Sequence, residues 1–331
     1  METQVAPNPQ RIMQFAFGFV PSVAVYSAIE LDLFTAIAHG HNTVAKLAEA
    51  CQCQDRGLKP LVYTLTALGL LEQSGDSFKL AVDAELFLLP ASPAYLGGVL
   101  AHQVKQIGDW AQLPKAVRQG TAPGTVVEGD QDDGAFFAGF VDSLFNLNWP
   151  AAQAVAKALP ATAKSAIDIG CGSAVWSLAL AQLHSDLKVV AVDRQLVLDK
   201  VAKVFAQRVG CGERYEYRSG NFRDVDFGKS DVAFLGHILH SEGEAASRTL
   251  LKRICDGLNP GGVLVVAEMV ASEPRGADVF SNLFDLNMLM WTQEGTVFTV
   301  AQLEEMGREA GFTRFEWLPV PSPSPVLLAF R

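Results

Sequence analysis

Two acidic residues accompany a glycine-rich turn in the second half of the chain. Asp168 stands just before Gly170 and Gly172 in SAIDIGCGSAVW, and Asp193 closes KVVAVD 25 residues later. Glycines at a strand-to-helix turn let the backbone approach a ligand closely. A dinucleotide-binding turn would have a third glycine where this chain has Ala174, and Asp168 would repel a pyrophosphate. Asp168 and Asp193 together favour a cofactor that carries an amino group and a sulfonium cation. The ribose hydroxyls of this cofactor would donate to Asp193.

A third loop extends this candidate cofactor site. Asn221 and Phe222 follow the segment RYEYR and Gly220. An amide can bond the edge of an adenine, and an aromatic ring can stack on its face. A plain β-turn is the alternative interpretation of the same residues.

Histidine and glutamate side chains follow two further apolar segments. His237 and His240 come after DVAFL, close to Glu242, and Glu268 comes after GVLVVA. A metal cluster is one interpretation, but no third or fourth ligand is distinctive, so we expect no metal. General-base catalysis is the other, because histidine titrates near pH 6.5 and can take a proton at neutral pH. A hydrogen-bonded structural histidine remains the plain alternative.

The elements that carry these residues alternate between strand and helix. Apolar strands at SAIDI, KVVAV, DVAFL and GVLVVAE are separated by amphipathic helices, which predicts an α/β fold with a doubly wound, mostly parallel, Rossmann-like sheet. His240 and Glu268 would then lie at the carboxyl edge of neighbouring strands, where ligands bind. Thr299 with Gln302 predicts a capping box at the start of a late helix. Gly311 predicts the end of that helix.

The first 90 residues have helical periodicity instead. Thr43 is placed as an N-cap, and Gly75, Asp76 and Ser77 form a turn between two short strands, so helices followed by a two-stranded wing are expected. The helices from Arg11 to Ile37 are too apolar to face water, and such a surface normally marks an interface. We therefore predict three parts: a mainly helical, winged-helix-like dimerisation domain at 1–95, a helical connector at 96–150, and a cofactor-binding catalytic domain at 151–331.

Composition narrows the range of partners and compartments. A net charge of −10 opposes binding to nucleic acid, which needs clustered Lys and Arg. The five cysteines are odd in number and form no C-x-x-C pair, which is typical of free thiols in a reducing compartment. Uninterrupted apolar runs are no longer than a strand, and no signal peptide is recognisable. We expect a cytoplasmic protein without a membrane span.

The motifs DIGCGSA, VVAVD, SGNF, FLGHILHSEGE and LNPGGVLVVAE, in this order, resemble the bacterial and plant small-molecule O-methyltransferases of secondary metabolism. The resemblance covers nearly the whole chain. It implies S-adenosylmethionine as cofactor, S-adenosylhomocysteine as product, a phenolic acceptor, and a homodimer formed through the N-terminal domain. It also implies a set of cofactor-binding residues, with His240 as the general base and Glu268 as its partner: Asp168, Gly170, Gly172, Asp193, Arg194, Asn221 and Phe222.

The chain departs from the family pattern at three positions. Gly236 replaces a lysine at the end of the fourth strand, Ser241 an aspartate after the histidine, and Val297 a second glutamate. A family member that methylates carbon or nitrogen, or one that has lost methyl transfer, is therefore an alternative. A winged-helix regulator is another, although the helix DRGLKPLVYTLTALGLL carries only two basic residues.

Four further residues are candidates for the acceptor pocket. They lie in the connector or in a late apolar helix, where membership of the hydrophobic core is the competing interpretation: His102, Phe140, Met288 and Trp291.

Overall fold

The computed structural model describes residues 8–124, 134–322 and 324–331, without the side chains of 134–140, 142 and 143. Two compact units make up the chain, Met1–Gly108 and Asp109–Arg331. The division of the second unit into a connector and a catalytic domain stays a prediction. One long helix, Gly134–Ala158, runs through residue 150, where the two predicted parts were expected to meet.

The described part of the first unit, residues 8–108, consists of seven helices and a hairpin. Its elements are α1 (Gln10–Ala16), α2 (Val20–Glu30), α3 (Leu33–Ala38), α4 (Val44–Ala50), α5 (Asp55–Ala67), β1 (Leu71–Ser74), β2 (Ser77–Leu80), α6 (Val82–Phe87) and α7 (Gly97–Lys105). The Thr43 hydroxyl accepts from the Lys46 amide at 3.4 Å and so caps α4. Gly75 has a φ of 59° between the antiparallel strands β1 and β2. The helical unit with a two-stranded wing is thus confirmed.

The first two helices leave large apolar side chains in solvent. Phe15 is 70 % exposed and Ile12 66 % exposed, and neither α1 nor the start of α2 buries a residue. Residues Gln10–Glu30 are also long and apolar enough, by length and composition alone, to cross a membrane. Arg11 and Gln14 interrupt the start of this stretch, and Ser22 and Ser27 interrupt the rest, so it contains no apolar run of membrane length. A surface this apolar marks an interaction site.

The second unit is built around a seven-stranded sheet. Its elements are α8 (Leu113–Gln119), α9 (Gly134–Ala158), β3 (Ser165–Ile169), α10 (Val175–Leu183), β4 (Lys188–Asp193), α11 (Gln195–Val197), α12 (Lys203–Arg208), β5 (Tyr215–Ser219), β6 (Ser230–Gly236), α13 (Leu239–Gly257), β7 (Leu258–Ala267), β8 (Val270–Ala271), α14 (Val279–Trp291), β9 (Phe298–Thr299), α15 (Val300–Ala310), β10 (Arg314–Leu318) and β11 (Val326–Phe330).

The strand order of this sheet is β10-β11-β7-β6-β3-β4-β5. The five neighbouring strands β7, β6, β3, β4 and β5 are parallel to one another. Strand β11 runs antiparallel to both of its neighbours, β7 and β10. From β3 the chain proceeds outward to β4 and β5 and then returns to place β6 on the other side of β3. This reversal opens a crevice at the carboxyl ends of β3 and β6, where ligands bind in open α/β sheets. The doubly wound α/β fold is confirmed.

Helices cover both faces of the sheet. One core cluster packs α9, α10 and α12 against the sheet, and the second packs α13 and α15 against the opposite face. The predicted capping box is present, because the Thr299 amide donates to Gln302 Oε1 at 2.9 Å and the Gln302 amide donates to Thr299 Oγ1 at 3.2 Å. Gly311 ends α15 in the left-handed region, with a φ of 111°.

Candidate active site

The turn after β3 depends on its glycines. Gly170 and Gly172 have φ values of 62° and 53°, and a Cβ on Gly170 would lie 2.5 Å from the Ile238 side chain. An added Cβ on Gly172 would have Val141 Cγ1 as its nearest neighbour at 3.9 Å, an ordinary van der Waals distance. Ala174 takes the same left-handed conformation as the N-cap of α10, with a φ of 57°. The backbone therefore turns tightly here and leaves room beside Gly172 for a ligand.

Asp168 lies under this turn, beneath the start of α10. It is 2 % exposed, and its Oδ2 accepts a hydrogen bond from Ser177 Oγ at 2.5 Å. The Tyr215 hydroxyl in turn donates to Ser177 Oγ at 3.0 Å. Burial raises the pKa of Asp168 to about 7, against the lowering effect of the Ser177 hydrogen bonds. Sequence reasoning missed Ser177 and Tyr215, whose positions carry no recognisable motif.

Asp193 lies at the end of β4 with its carboxylate turned toward the glycine turn. Its Oδ2 accepts from the Gly172 amide at 2.9 Å, and its Oδ1 accepts from the Arg194 amide at 2.8 Å. Burial raises its pKa in spite of these bonds. The Arg194 side chain is exposed. Asp193 and Gly172, 21 residues apart, are thus brought together as expected for one site.

The loop after β5 lies on the other side of the turn. Asn221 is exposed, and its Oδ1 accepts from the Arg223 amide at 2.9 Å. The Phe222 ring lies 3.9 Å from the position of a Cβ on Gly170. The Arg253 guanidinium fixes this loop by donating to the carbonyl oxygens of Phe222 at 2.8 Å and Val225 at 2.7 Å. Arg253 lies on α13 and was not anticipated from the sequence.

His240 and Glu268 are in direct contact. The parallel register pairs Gly236 of β6 with Ala267 of β7, so Glu268 is the next residue beyond the pair. His240 Nδ1 is hydrogen-bonded to Glu268 Oε1, and the His240 amide donates to Glu268 Oε2 at 3.2 Å. Nδ1 therefore carries the hydrogen, and Nε2 is left with its lone pair. His240 is the second residue of α13 and not part of the extended segment after β6.

Glu268 is a buried carboxylate that stays charged. It is 1 % exposed, and burial raises its pKa, but the neighbouring His240 and His237 and the Met269 amide lower it by more, so that the pKa lies below its usual value. The Met269 amide donates to Oε1 at 2.9 Å. This arrangement holds the imidazole in one orientation and stabilises it when it becomes positively charged.

His237 turns the chain between β6 and α13. Its φ is 59°, which is unusual for a residue with a side chain, and its Nε2 lies 2.8 Å from Ser324 Oγ. Burial lowers the pKa of His237 to about 4. His237 is thus neutral beside His240. Among the described residues there is no group of three or more side chains that could hold a metal ion.

The three departures from the family pattern have local structural settings. A Cβ on Gly236 would lie 2.5 Å from Trp176 Nε1, so the indole occupies the space of any larger residue there. Ser241 donates from its hydroxyl to the Ile238 carbonyl at 2.8 Å. Val297 is fully buried, and its amide donates to Asp285 at 2.8 Å. Within the described part of the chain, Glu268 is the carboxylate that bonds the His240 ring.

Helix α14 brings an aromatic residue against His240. The Phe284 ring meets the His240 ring edge-on, with 5.0 Å between centroids. Met288 is 5 % exposed and Trp291 ends the helix. Phe140 is within α9, but its side chain lies outside the described residues. His102 lies on α7 in the first unit, and burial lowers its pKa. Phe284 was missed, because nothing in the sequence relates it to His240.

Comparison with known proteins shows the family of this chain. A model of the O-methyltransferase domain matches residues 119–313, and a model of the O-methyltransferase dimerisation domain matches residues 13–89. The chain is 29 % identical to the tetracenomycin polyketide synthesis 8-O-methyl transferase TcmO of Streptomyces glaucescens, over 96 % of this chain and 95 % of that protein. It is 26 % identical to a 3-hydroxy-5-methyl-1-naphthoate 3-O-methyltransferase of Streptomyces sahachiroi, over 95 % and 92 %.

Solved structures agree with the fold. Human N-acetylserotonin methyltransferase, solved in complex with S-adenosylmethionine, superimposes with a TM-score of 0.86 at 22 % identity, covering 100 % of this chain and 99 % of that one. The family resemblance and the cofactor expected from the sequence are confirmed. This chain belongs to the family of S-adenosylmethionine-dependent small-molecule O-methyltransferases that carry an N-terminal dimerisation domain.

Proposed function

We propose that this enzyme methylates a hydroxyl group on an aromatic natural product, with His240 as the general base. The contact between His240 Nδ1 and the buried Glu268 carries the proposal, because it leaves Nε2 free to accept a proton. The relatives from Streptomyces act, by their names, on a polyketide and on a hydroxynaphthoate. An aromatic hydroxyl is the acceptor chemistry that fits both this base and these relatives.

The cofactor site of the proposal lies at the carboxyl ends of β3, β4 and β5. The backbone at Gly172, where an added Cβ would have no neighbour closer than 3.9 Å, and the carboxylate of Asp193 fit a ligand that has ribose hydroxyls. Asn221 and Phe222 would hold the adenine, with Gly170 and Arg194 completing the walls. Asp168 acts indirectly, by supporting the turn, because its carboxylate already accepts a hydrogen bond from Ser177 beneath that turn. S-Adenosylmethionine, when bound there, supplies an electrophilic methyl group.

The protein's own part in the reaction is proton transfer and positioning. An aromatic hydroxyl becomes a competent nucleophile only as its proton leaves, since its pKa is about 10. His240 Nε2 takes that proton, and Glu268 stabilises the resulting imidazolium through Nδ1. The neighbouring His237, kept neutral by burial, adds no positive charge that would oppose this step. Alignment of the acceptor oxygen contributes the remainder of the rate.

Calorimetry on Asp193→Ala tests the cofactor site. Removal of the carboxylate should weaken S-adenosylmethionine binding by about 1.5–3 kcal/mol, the usual contribution of a hydrogen bond to a charged group. The exposed Asp186→Ala, at the start of the same β4 region, is the matched control and should leave the affinity unchanged. Equal affinity of the two folded variants would show that the ribose site lies elsewhere.

We further propose that the exposed apolar side chains of α1 and α2 are covered by a second copy of the chain. The dimerisation-domain match at 13–89 includes most of this stretch, and a two-fold dimer is the simplest closed assembly. Light scattering at micromolar concentration should therefore give the mass of a dimer; a monomer would contradict the proposal.

The free cysteines support action in the cytoplasm.

A further inference from the structure

Trp291 at the end of α14 has an unused hydrogen-bond donor. Its indole Nε1 is buried and has no hydrogen-bond partner among the described residues. By contrast, Trp317 Nε1 donates to Glu304 Oε1 at 3.0 Å on the edge of the sheet. Buried polar groups in native proteins are nearly always bonded, and an exception calls for an explanation such as a ligand.

The position of Trp291 on its helix relates it to the catalytic base. Phe284, Met288 and Trp291 are separated by four and three residues, so they lie on one face of α14. Phe284 is the residue whose ring meets His240 edge-on. Seven residues at the helical rise correspond to about 10 Å. The indole therefore lies on the face that contacts the base, roughly 10 Å further along the helix.

We propose that Trp291 Nε1 donates a hydrogen bond to a second oxygen of the acceptor, remote from the hydroxyl that is methylated. This inference rests on the proposed function, with the reacting hydroxyl at His240. Indole N–H is a donor only, so its partner must be a carbonyl, ether or hydroxyl oxygen. Phe284 and the buried Met288 lie between the two polar points and suit an apolar ring system. The acceptor class is thus a multi-ring aromatic compound with oxygens at both ends.

Two probes that differ by one hydroxyl test this inference. Affinities of 2,6-dihydroxyanthraquinone and 2-hydroxyanthraquinone are measured by calorimetry on the S-adenosylhomocysteine complex, and the statistical factor for the symmetric probe is divided out. The wild-type protein should bind the dihydroxy probe about tenfold more tightly, as expected for one buried hydrogen bond. Trp291→Phe keeps an aromatic ring but removes the donor, and should reduce this ratio to about one while S-adenosylhomocysteine affinity is retained.

Trp317→Phe is the matched control, because the N–H that it removes already has a protein partner. This variant should retain the wild-type ratio. Equal binding of the two probes by the wild type, or an unchanged ratio in Trp291→Phe, would overturn the inference. Binding of single-ring phenols with neither anthraquinone would also overturn it. If no phenol of any size is methylated although S-adenosylhomocysteine binds, the proposed function itself fails, and the inference with it.

Discussion

Asp168 near the end of β3 and Glu268 just after β7 are both buried carboxylates, with 2 % and 1 % of their surface exposed. Burial raises the pKa of both, yet Asp168 reaches about 7 while the pKa of Glu268 lies below its usual value. The difference lies in their partners. Asp168 accepts from a neutral hydroxyl of Ser177, whereas Glu268 bonds an imidazole that can take a positive charge. At similar burial, the carboxyl group with a neutral partner thus keeps its proton to a higher pH, and the one beside an imidazole loses its proton at a lower pH.

The largest effect on turnover is expected when Glu268 loses its partner His240. His240→Ala removes the group that takes the acceptor proton, so kcat should fall by about 10²–10⁴. The affinity for S-adenosylmethionine should remain close to that of the wild type, since the proposed cofactor residues lie on other strands. Formation of S-adenosylhomocysteine with the true acceptor measures the first quantity, and calorimetry the second. Full turnover by this variant would show that another group is the base.

A smaller loss is expected when Glu268 itself is made neutral. Glu268→Gln keeps an oxygen for the His240 ring but removes the charge that stabilises the imidazolium, so kcat should fall by about 10–10²-fold. The effect should be confined to kcat, with cofactor affinity unchanged. If Glu268→Gln were as slow as His240→Ala, the carboxylate would be more than an orienting partner.

The end of β4 at Asp193 and the helix caps at Thr43 and Thr299 could be predicted from local sequence, because each depends on a few neighbouring residues. Thr299 followed by Gln302 is recognisable as a capping box, and Asp193 at the end of an apolar run is recognisable as the end of a strand. The partners of the site residues could not be predicted, since Ser177, Phe284 and Arg253 reach their targets only through tertiary packing. The apolar surface of α1 and α2 was expected from the sequence. That Gln10–Glu30 is also long and apolar enough to cross a membrane was not expected, because single polar residues interrupt this stretch.

The two carboxylates should also give opposite pH dependences of stability. Asp168 has a higher pKa in the folded chain than its ordinary 3.8, so its contribution to stability declines as the pH rises from about 4 to about 7. Glu268 has a lowered pKa, so its contribution is present above its ordinary value of 4.5 and is lost as the pH falls through the folded value.

Urea unfolding of three proteins at several pH values separates these two effects. Relative to the wild type, Asp168→Asn should gain stability as the pH rises toward 7, because the cost of ionising a buried group is removed. Glu268→Gln should instead lose stability relative to the wild type above pH 4.5. Parallel curves for the two variants would contradict the contrast between the sites.

The smallest effect concerns the turn that covers Asp168. Ala174 is in the left-handed region, which costs a residue with a Cβ roughly 1–2 kcal/mol. Ala174→Gly should relieve this cost, offset in part by greater freedom of the unfolded chain, and raise the free energy of unfolding by about 0.5–1 kcal/mol. Ala179→Gly, inside α10, should lower it instead. A loss of stability in Ala174→Gly would mean that the turn is not strained.

The contact between Gly236 and Trp176 ties these two positions together. A Cβ at 236 would lie 2.5 Å from Trp176 Nε1, so a larger residue there requires the indole to move or to be replaced by a smaller side chain. A substitution at 236 should therefore cost less stability when Trp176 has been made smaller first than when it is made alone. The space that a side chain at 236 needs is the space that the indole now fills.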